Sequence, residues 1–153
     1  MAVDITKACF EDIGKLIEVQ SESFYDDYIL YGECPAYNES KQAMEEYLKN
    51  AIVYKILWDN EIIGDVIVRK KENGRYFLRV ICVIPRYQNF GVGKKAIQFI
   101  EKDISDAVEW ELITPFKSYR NHYFYEKMGY LKVKEYVHSD VLTMFVYKKQ
   151  MKT

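Results

Sequence analysis

The chain has 153 residues, 49% of them hydrophobic and 29% charged, enough to close one sizeable core. No apolar run approaches the ~18–20 residues that a membrane-spanning helix needs, so no membrane partner is expected. Its 22 basic and 23 acidic residues nearly cancel. That lacks the basic excess of a nucleic-acid binder, so no nucleic acid is expected either.

In chain order, Ile5 to Ala8 is a short predicted strand. Ile13, Leu16, Ile17, Gln20 and Phe24 then recur at helical spacing and predict an amphipathic helix. Tyr25 to Tyr37, with Gly32 and Pro35, reads as a loop or broken helix. Ser40 to Asn50 reads as a short helix capped by Asn38 or Ser40. Ile52, Tyr54, Ile56 and Trp58 alternate as a strand, and Ile62 to Arg69 forms the next. The basic run Arg69-Lys70-Lys71 is a solvated strand end, and Glu72-Asn73-Gly74 is a turn. Tyr76 to Ile84 is nearly all apolar, the pattern of a strand buried on both faces. Pro85 ends it.

A loop and a helix from about Gly91 to Ile104 come next. Val92, Ala96, Phe99, Ile100 and Ile104 form its apolar stripe, with Lys94, Lys95, Gln98, Glu101 and Lys102 facing water. Val108 to Thr114 is a strand. Ser118 to Met128 is a helix capped by Ser118 and stopped by Gly129. Tyr130 to Tyr136 and Val141 to Tyr147 close as paired strands. The order is β-α-α-β-β-β-α-β-α-β-β, an α+β or mixed sheet layered with helices. No repeat or linker interrupts it, so residues 1–153 are expected to form a single domain.

Cys9, Cys34 and Cys82 are odd in number, with no CxxC pair. They fit reduced thiols better than a disulfide framework. Met1-Ala2-Val3-Asp4 lacks a basic n-region and an apolar h-region, so no signal peptide is visible and a cytoplasmic location is expected. Two lone histidines and scattered cysteines make no ligand set, and no metal is expected. The 14 tyrosines read mostly as amphipathic core and rim filling.

The sharpest feature is Gln88-Asn89-Phe90-Gly91-Val92-Gly93-Lys94, between a buried strand and an amphipathic helix. Its two glycines let backbone N–H groups converge with no Cβ in the way. The helix start adds unpaired donors and a positive dipole end, and Lys94 adds a charge. A diphosphate is the natural guest. Gly91-Val92-Gly93-Lys94-Lys95-Ala96 also fits the dinucleotide pattern GxGxxA, with Glu109 or Glu111 near the expected acidic position. That reading needs a tight strand-to-helix turn, whereas Pro85 and a longer loop intervene. A Walker A loop fails, because Gln88 replaces its first glycine. A glycine loop that merely turns the chain is the remaining alternative.

With its flanks, Val83-Ile84-Pro85-Arg86-Tyr87-Gln88-Asn89-Phe90-Gly91-Val92-Gly93 resembles the acetyl-coenzyme A signature of the GNAT family of N-acetyltransferases. That signature is Val-x-Pro-x-Tyr followed by Gln/Arg-x-x-Gly-x-Gly/Ala. Phe124-Tyr125-Glu126-Lys127-Met128-Gly129-Tyr130 resembles the family's second motif, at the usual separation. The resemblance covers essentially the whole chain. It implies the GNAT fold: a mostly antiparallel central sheet, flanked by helices, whose fourth strand carries a bulge and splays from the fifth. The pantetheine arm would lie in that opening against the backbone of Ile81, Cys82 and Val83, with an N–H near Val83 polarising the thioester carbonyl. Asn89, Phe90, Gly91, Val92, Gly93 and Lys94 would hold the pyrophosphate, with Gln88 at the loop's entry. Where the family often has a coenzyme A-contacting asparagine, this chain has Ser118; Asn121 falls where alanine is common.

The resemblance makes Tyr125 the acid that protonates the departing thiolate; a phenol of pKa ~10 can serve a thiol of pKa ~8.5. The base is open. Arg75 to Pro85 contains no acidic residue. Glu109 and Glu111 share a strand face, and Glu111 is the leading candidate. His138 in a predicted turn and His122 on a helix surface are alternatives, as is transfer with no strong base to an amine of pKa ~7.7–8.0. The implied activity is direct transfer, in a ternary complex, of an acetyl group from acetyl-CoA to the primary amine of a small molecule or peptide. Phe24 to Tyr37 would roof the acceptor site, and a monomer or homodimer is expected. Alternatives are a protein N-terminal acetyltransferase and a non-catalytic acetyl-CoA-binding module.

Overall fold

The computed structural model describes residues 3–151. Its strands are β1 (Val3–Lys7), β2 (Ile52–Trp58), β3 (Glu61–Lys70), β4 (Arg75–Val83), β5 (Glu109–Pro115), β6 (Leu131–Ser139) and β7 (Leu142–Gln150). Its helices are α1 (Ile13–Tyr31), α2 (Lys41–Asn50), α3 (Val92–Asp103) and α4 (Tyr119–Lys127), with 3-10 turns at Phe10–Asp12 and Pro85–Tyr87. The order matches the sequence reading element for element.

The strands form one sheet in the order β1-β2-β3-β4-β5-β7-β6. Each pairing is antiparallel except β4 with β5. A parallel pair needs a crossover, and α3 supplies it. Two apolar layers flank the sheet. Val92, Ala96, Ile97 and Ile100 of α3 pack with Tyr54, Val66 and Trp110. Leu16 of α1 and Met44 and Tyr47 of α2 pack with Val53, Ile67 and Val80 on the other face. Among the described residues, no helix is long and apolar enough to cross a membrane.

Two irregularities set the shape of β4. Ile67 pairs with Val80 and Val68 with Leu78, which leaves Arg79 as an extra residue. A bulge of this kind shifts the side-chain alternation by one. Tyr76 and Leu78 therefore face the α3 layer, whereas Val80 and Cys82 face the α1/α2 layer. The pairing of β4 with β5 covers only Arg75–Leu78 against Glu109–Leu112. Beyond it the two strands part, and a wedge opens between residues 79–83 and 113–115.

The structure corrects several local expectations. Tyr25 to Tyr31 is not a loop: α1 runs on to Tyr31 and stops at Gly32, whose φ of 78° closes the helix with an N–H to the Tyr28 carbonyl at 2.8 Å. Nothing in that stretch breaks a helix, and the first residue able to adopt the left-handed cap cheaply is Gly32. β4 is not buried on both faces; Phe77, Arg79 and Ile81 line the wedge and are half-buried. The strand buried throughout its middle is β3. Ser118 does not cap α4 through its side chain. Ser40, by contrast, does cap α2, accepting from the Ala43 N–H at 3.0 Å.

Candidate active site

The wedge opens into a cleft of about 1050 Å³ that runs across the sheet. One end is built by the loop between β4 and α3. Pro85–Tyr87 makes a 3-10 turn, then Asn89 (φ 69°) and Gly91 (φ 78°) both take left-handed backbone. Asparagine and glycine adopt that conformation at the least cost. The first amide of this stretch tied back to the chain is Lys95, which donates to the Gly91 carbonyl at 3.1 Å. Among the described residues, the N–H groups of residues 89 to 94 have no intramolecular acceptor. Such a fan of donors at a helix start suits an anion with several oxygens. At Gly93 a Cβ would stand 3.2 Å from the Phe124 ring, so glycine lets α3 and α4 close on each other.

Gln88 ties this loop to its surroundings. Its side-chain amide donates to the Val83 carbonyl at 2.9 Å and accepts from Arg120 of α4. Arg120 also donates to Asn89 at 3.1 Å. Arg120 escaped the sequence reading; a lone arginine shortly past the expected cap gives no signal until α4 packs beside the loop. Lys94 and Lys127 also line the cleft. Phe90 does not; it stacks edge-on against Trp58, centroids 5.8 Å apart.

At the middle of the cleft are Ile81, Cys82 and Val83 from one wall and Ser118 and Tyr125 from the other. The Ser118 hydroxyl lies 3.4 Å from that of Tyr31. Tyr125 is buried among Phe124, Tyr130 and Tyr147. Burial, and then the nearby Cys82, push its phenol well above the usual tyrosine range. A phenol is already a neutral O–H at physiological pH, the form that a proton donor needs, and the upward shift keeps it so while making it a weaker acid.

The far end is acidic. Asp26, Asp27 and Glu33 reach it from α1 and the segment after it. Burial, with Asp26 beside it, raises the Asp27 carboxyl. Tyr136 and His138 of β6 line the opposite wall. His138 thus lies in a strand, not a turn, next to a register break at the end of β6. The Ser139 hydroxyl donates to Glu33 and straps β6 to the segment following α1 across this end. The Phe24–Tyr37 segment does flank this part of the cleft, through carboxylates as well as aromatics.

Glu111 is not brought to the cleft. It is ion-paired with Lys71 at 3.1 Å and with Lys148 at 3.8 Å. Glu109 shares its face, as alternation requires, and pairs with Lys148 and Gln150. His122 is not a free surface residue: its Nε2–H donates to the Pro115 carbonyl at 2.9 Å, and its ring stacks on Phe145. Among the described residues no cluster of three potential metal ligands occurs.

Comparison with known proteins places this geometry. Residues 49–132 match the family model described as an acetyltransferase (GNAT) domain. YrkN, an uncharacterised protein of Bacillus subtilis (strain 168), is 32% identical over 113 residues, 69% of this chain; the chain spans 60% of that protein's length. The fold is similar to that of the PaiA N-acetyltransferase of Thermoplasma acidophilum, solved in complex with coenzyme A. The TM-score is 0.81 at 22% identity, over 99% of this chain and 100% of the other. It is also similar to the ribosomal-protein-S18-alanine N-acetyltransferase of Escherichia coli, with a TM-score of 0.76 at 12% identity over 99% and 96% of the two chains. The family match spans more than half of the sequence, and the chain belongs to the GNAT family of acetyltransferases.

Proposed function

We propose that this protein transfers an acetyl group from acetyl-CoA to the primary amine of a small molecule. The observation that carries the reading is one cleft with unpaired backbone amides at residues 89–94 at one end and the neutral phenol of Tyr125 midway. The amides, with Lys94 and Arg120, would hold the pyrophosphate of the co-substrate. The edge of β4 left free by the splay, at Ile81, Cys82 and Val83, would pair with the pantetheine arm. Ser118 is within the same cleft and would contact that arm. Tyr125 would protonate the departing thiolate, a role in which a positioned acid contributes about 10²–10⁴-fold.

The acceptor would enter from the opposite end. Asp26, Asp27 and Glu33 there favour a cation, and an amine arrives as one. The strap between Ser139 and Glu33 narrows that end, which favours a compact amine over a folded protein's N-terminus. A peptide amine is the second reading, and it requires the strap to open. A non-catalytic acetyl-CoA-binding module would leave the acid Tyr125 without a task. Three free thiols suit a reducing cytoplasm.

The test is calorimetric titration with acetyl-CoA, then a screen for coenzyme A release against amines and peptides. Binding with thiol release on small amines supports the proposal. Release on peptides alone favours the second reading. Binding with no release on any acceptor leaves a binding module, and no binding at millimolar acetyl-CoA refutes all three.

A further inference from the structure

The middle of β3 is buried on both faces, yet residue 65 is an aspartate with no exposed surface. Its Oδ1 accepts from the Cys82 thiol at 3.1 Å. Its Oδ2 has no partner among the described residues. A thiol is a weak donor, and a carboxylate held by so little is a poor stabilising device; an apolar residue of similar size would serve packing better. Its position suggests chemistry instead.

Three observations connect Asp65 to the cleft. Asp65 and Cys82 are direct cross-strand partners, and the bulge at Arg79 is what turns Cys82 toward Asp65's face of the sheet. Gly64, next to Asp65, lets the two strands close so far that a Cβ there would collide with the Cys82 carbonyl, so the backbone of Cys82 is fixed. Cys82 also lines the cleft and lies close enough to Tyr125 to push its phenol up, while burial and Asp65 keep the Cys82 thiol protonated. Asp27 also lines the cleft, but the groups it perturbs are Tyr31 and Cys34, farther toward the acceptor end.

We propose that Asp65 is the terminal proton acceptor of the transfer, reached from the cleft through the Cys82 thiol. This rests on the acetyltransferase reading. The acceptor first sheds its ammonium proton to solvent. As the neutral amine nitrogen bonds to the acetyl carbon, the carbon–sulfur bond of the thioester breaks and the thiolate takes the Tyr125 proton. The nitrogen loses a proton to Cys82 Sγ while the Cys82 S–H proton moves to Asp65 Oδ1. Cys82 ends as it began. The phenolate at 125 and the acid at 65 return to their starting states by exchange with solvent as products leave. Asp65 acts through Cys82 and is a positioning and proton-holding residue, not one that touches substrate.

The surroundings of Asp65 suit this task. Burial, opposed by the Cys82 hydrogen bond and reinforced by the charge of Glu39, pushes its carboxyl up to about 7. Lys55 of β2 is its register partner, but the ammonium is committed to Asp12 at 3.0 Å. Glu39 is engaged by Arg79 and by the Tyr47 hydroxyl. Ser23 of α1 adds a hydroxyl near the Cys82 thiol.

The test compares wild type, Asp65→Asn, Cys82→Ala and Cys82→Ser with one acceptor from the screen. The ratio of kcat/KM, wild type over variant, is followed from about pH 5.5 to 8.5, which cancels the titration of the amine. For Asp65→Asn and Cys82→Ala the ratio should rise through about pH 7 and level near 100-fold. Cys82→Ser, which keeps a relay hydroxyl, should restore most of the loss. A ratio independent of pH, or Cys82→Ala equal to wild type, overturns the relay. An acetyl group found on Cys82 by intact mass overturns it in favour of a covalent intermediate. Should Asp65→Asn fail to fold, the two Cys82 variants carry the comparison. Wild type that binds acetyl-CoA but acetylates nothing refutes the acetyltransferase reading, a result distinct from failure of the relay.

Discussion

The two ends of the cleft are built differently. The end proposed to hold the pyrophosphate comes from two short, nearly continuous segments, residues 83–94 and 118–130, and its free donors are mostly backbone amides. The end proposed to take the acceptor is assembled from α1, β4 and the β6–β7 hairpin, segments more than a hundred residues apart in sequence at the Glu33–Ser139 strap. Local sequence dictates the first; tertiary packing dictates the second. The first end should therefore fail when one backbone position changes. The second should yield gradually to side-chain changes.

The largest effect is expected at Gly91. A glutamate there must adopt a φ of 78°, which L side chains resist, and it carries a charge toward a diphosphate. Gly91→Glu should weaken acetyl-CoA binding by ~100-fold or more by calorimetry; retained affinity would remove the loop from the site. Next is Tyr125→Phe, which should lower kcat by about 10²-fold or more with the Kd for acetyl-CoA nearly unchanged. Unchanged turnover would end its role as the acid.

The acceptor end should respond less steeply. Asp27→Asn should raise the KM for an amine by about 10-fold, because it weakens a partly buried, charge-assisted hydrogen bond to the ammonium, and should leave cofactor affinity alone. A shift in cofactor affinity instead would show that the two ends are not separable. The last prediction concerns stability rather than activity, and it has a definite sign. Asp65 has its carboxyl raised in the folded state to about 7 from 3.8. Its contribution is then fully held below about pH 3.8 and lost as pH rises to about 7. Asp65→Asn should gain thermal stability relative to wild type progressively across that window, reading as a rise in Tm difference from about pH 4 to about pH 8. A pH-independent difference would mean that the carboxyl is ionised in the fold throughout.

The same division governs how much the sequence alone reveals. The element order, the α2 cap to within Asn38 or Ser40, the loop at 88–94 and the tyrosine at 125 were legible because each is written in neighbouring residues. The continuation of α1 to Tyr31 was not. Its mix of aspartates and aromatics has no clean period, and burial of Tyr31 supplies what propensity lacks. Arg120 was invisible as a cleft residue, Asp27 was covered only by the expectation that Phe24 to Tyr37 roofs the acceptor site, and His138 was legible only as an alternative base in a turn, because nothing local marks which face will meet a distant segment. Glu111 shows the reverse: its strand and face were read correctly, but neighbouring lysines claim it.

The extra residue at position 79 sets a rule for insertions and deletions in β4. Removing Arg79 would alter no hydrophobic count, yet it would rotate every later side chain of the strand to the opposite layer. Cys82 would leave Asp65 behind, and the regularised strand could zip further along β5. What must be kept in this stretch is the number of residues between Leu78 and Val83, more than the identity of any one of them.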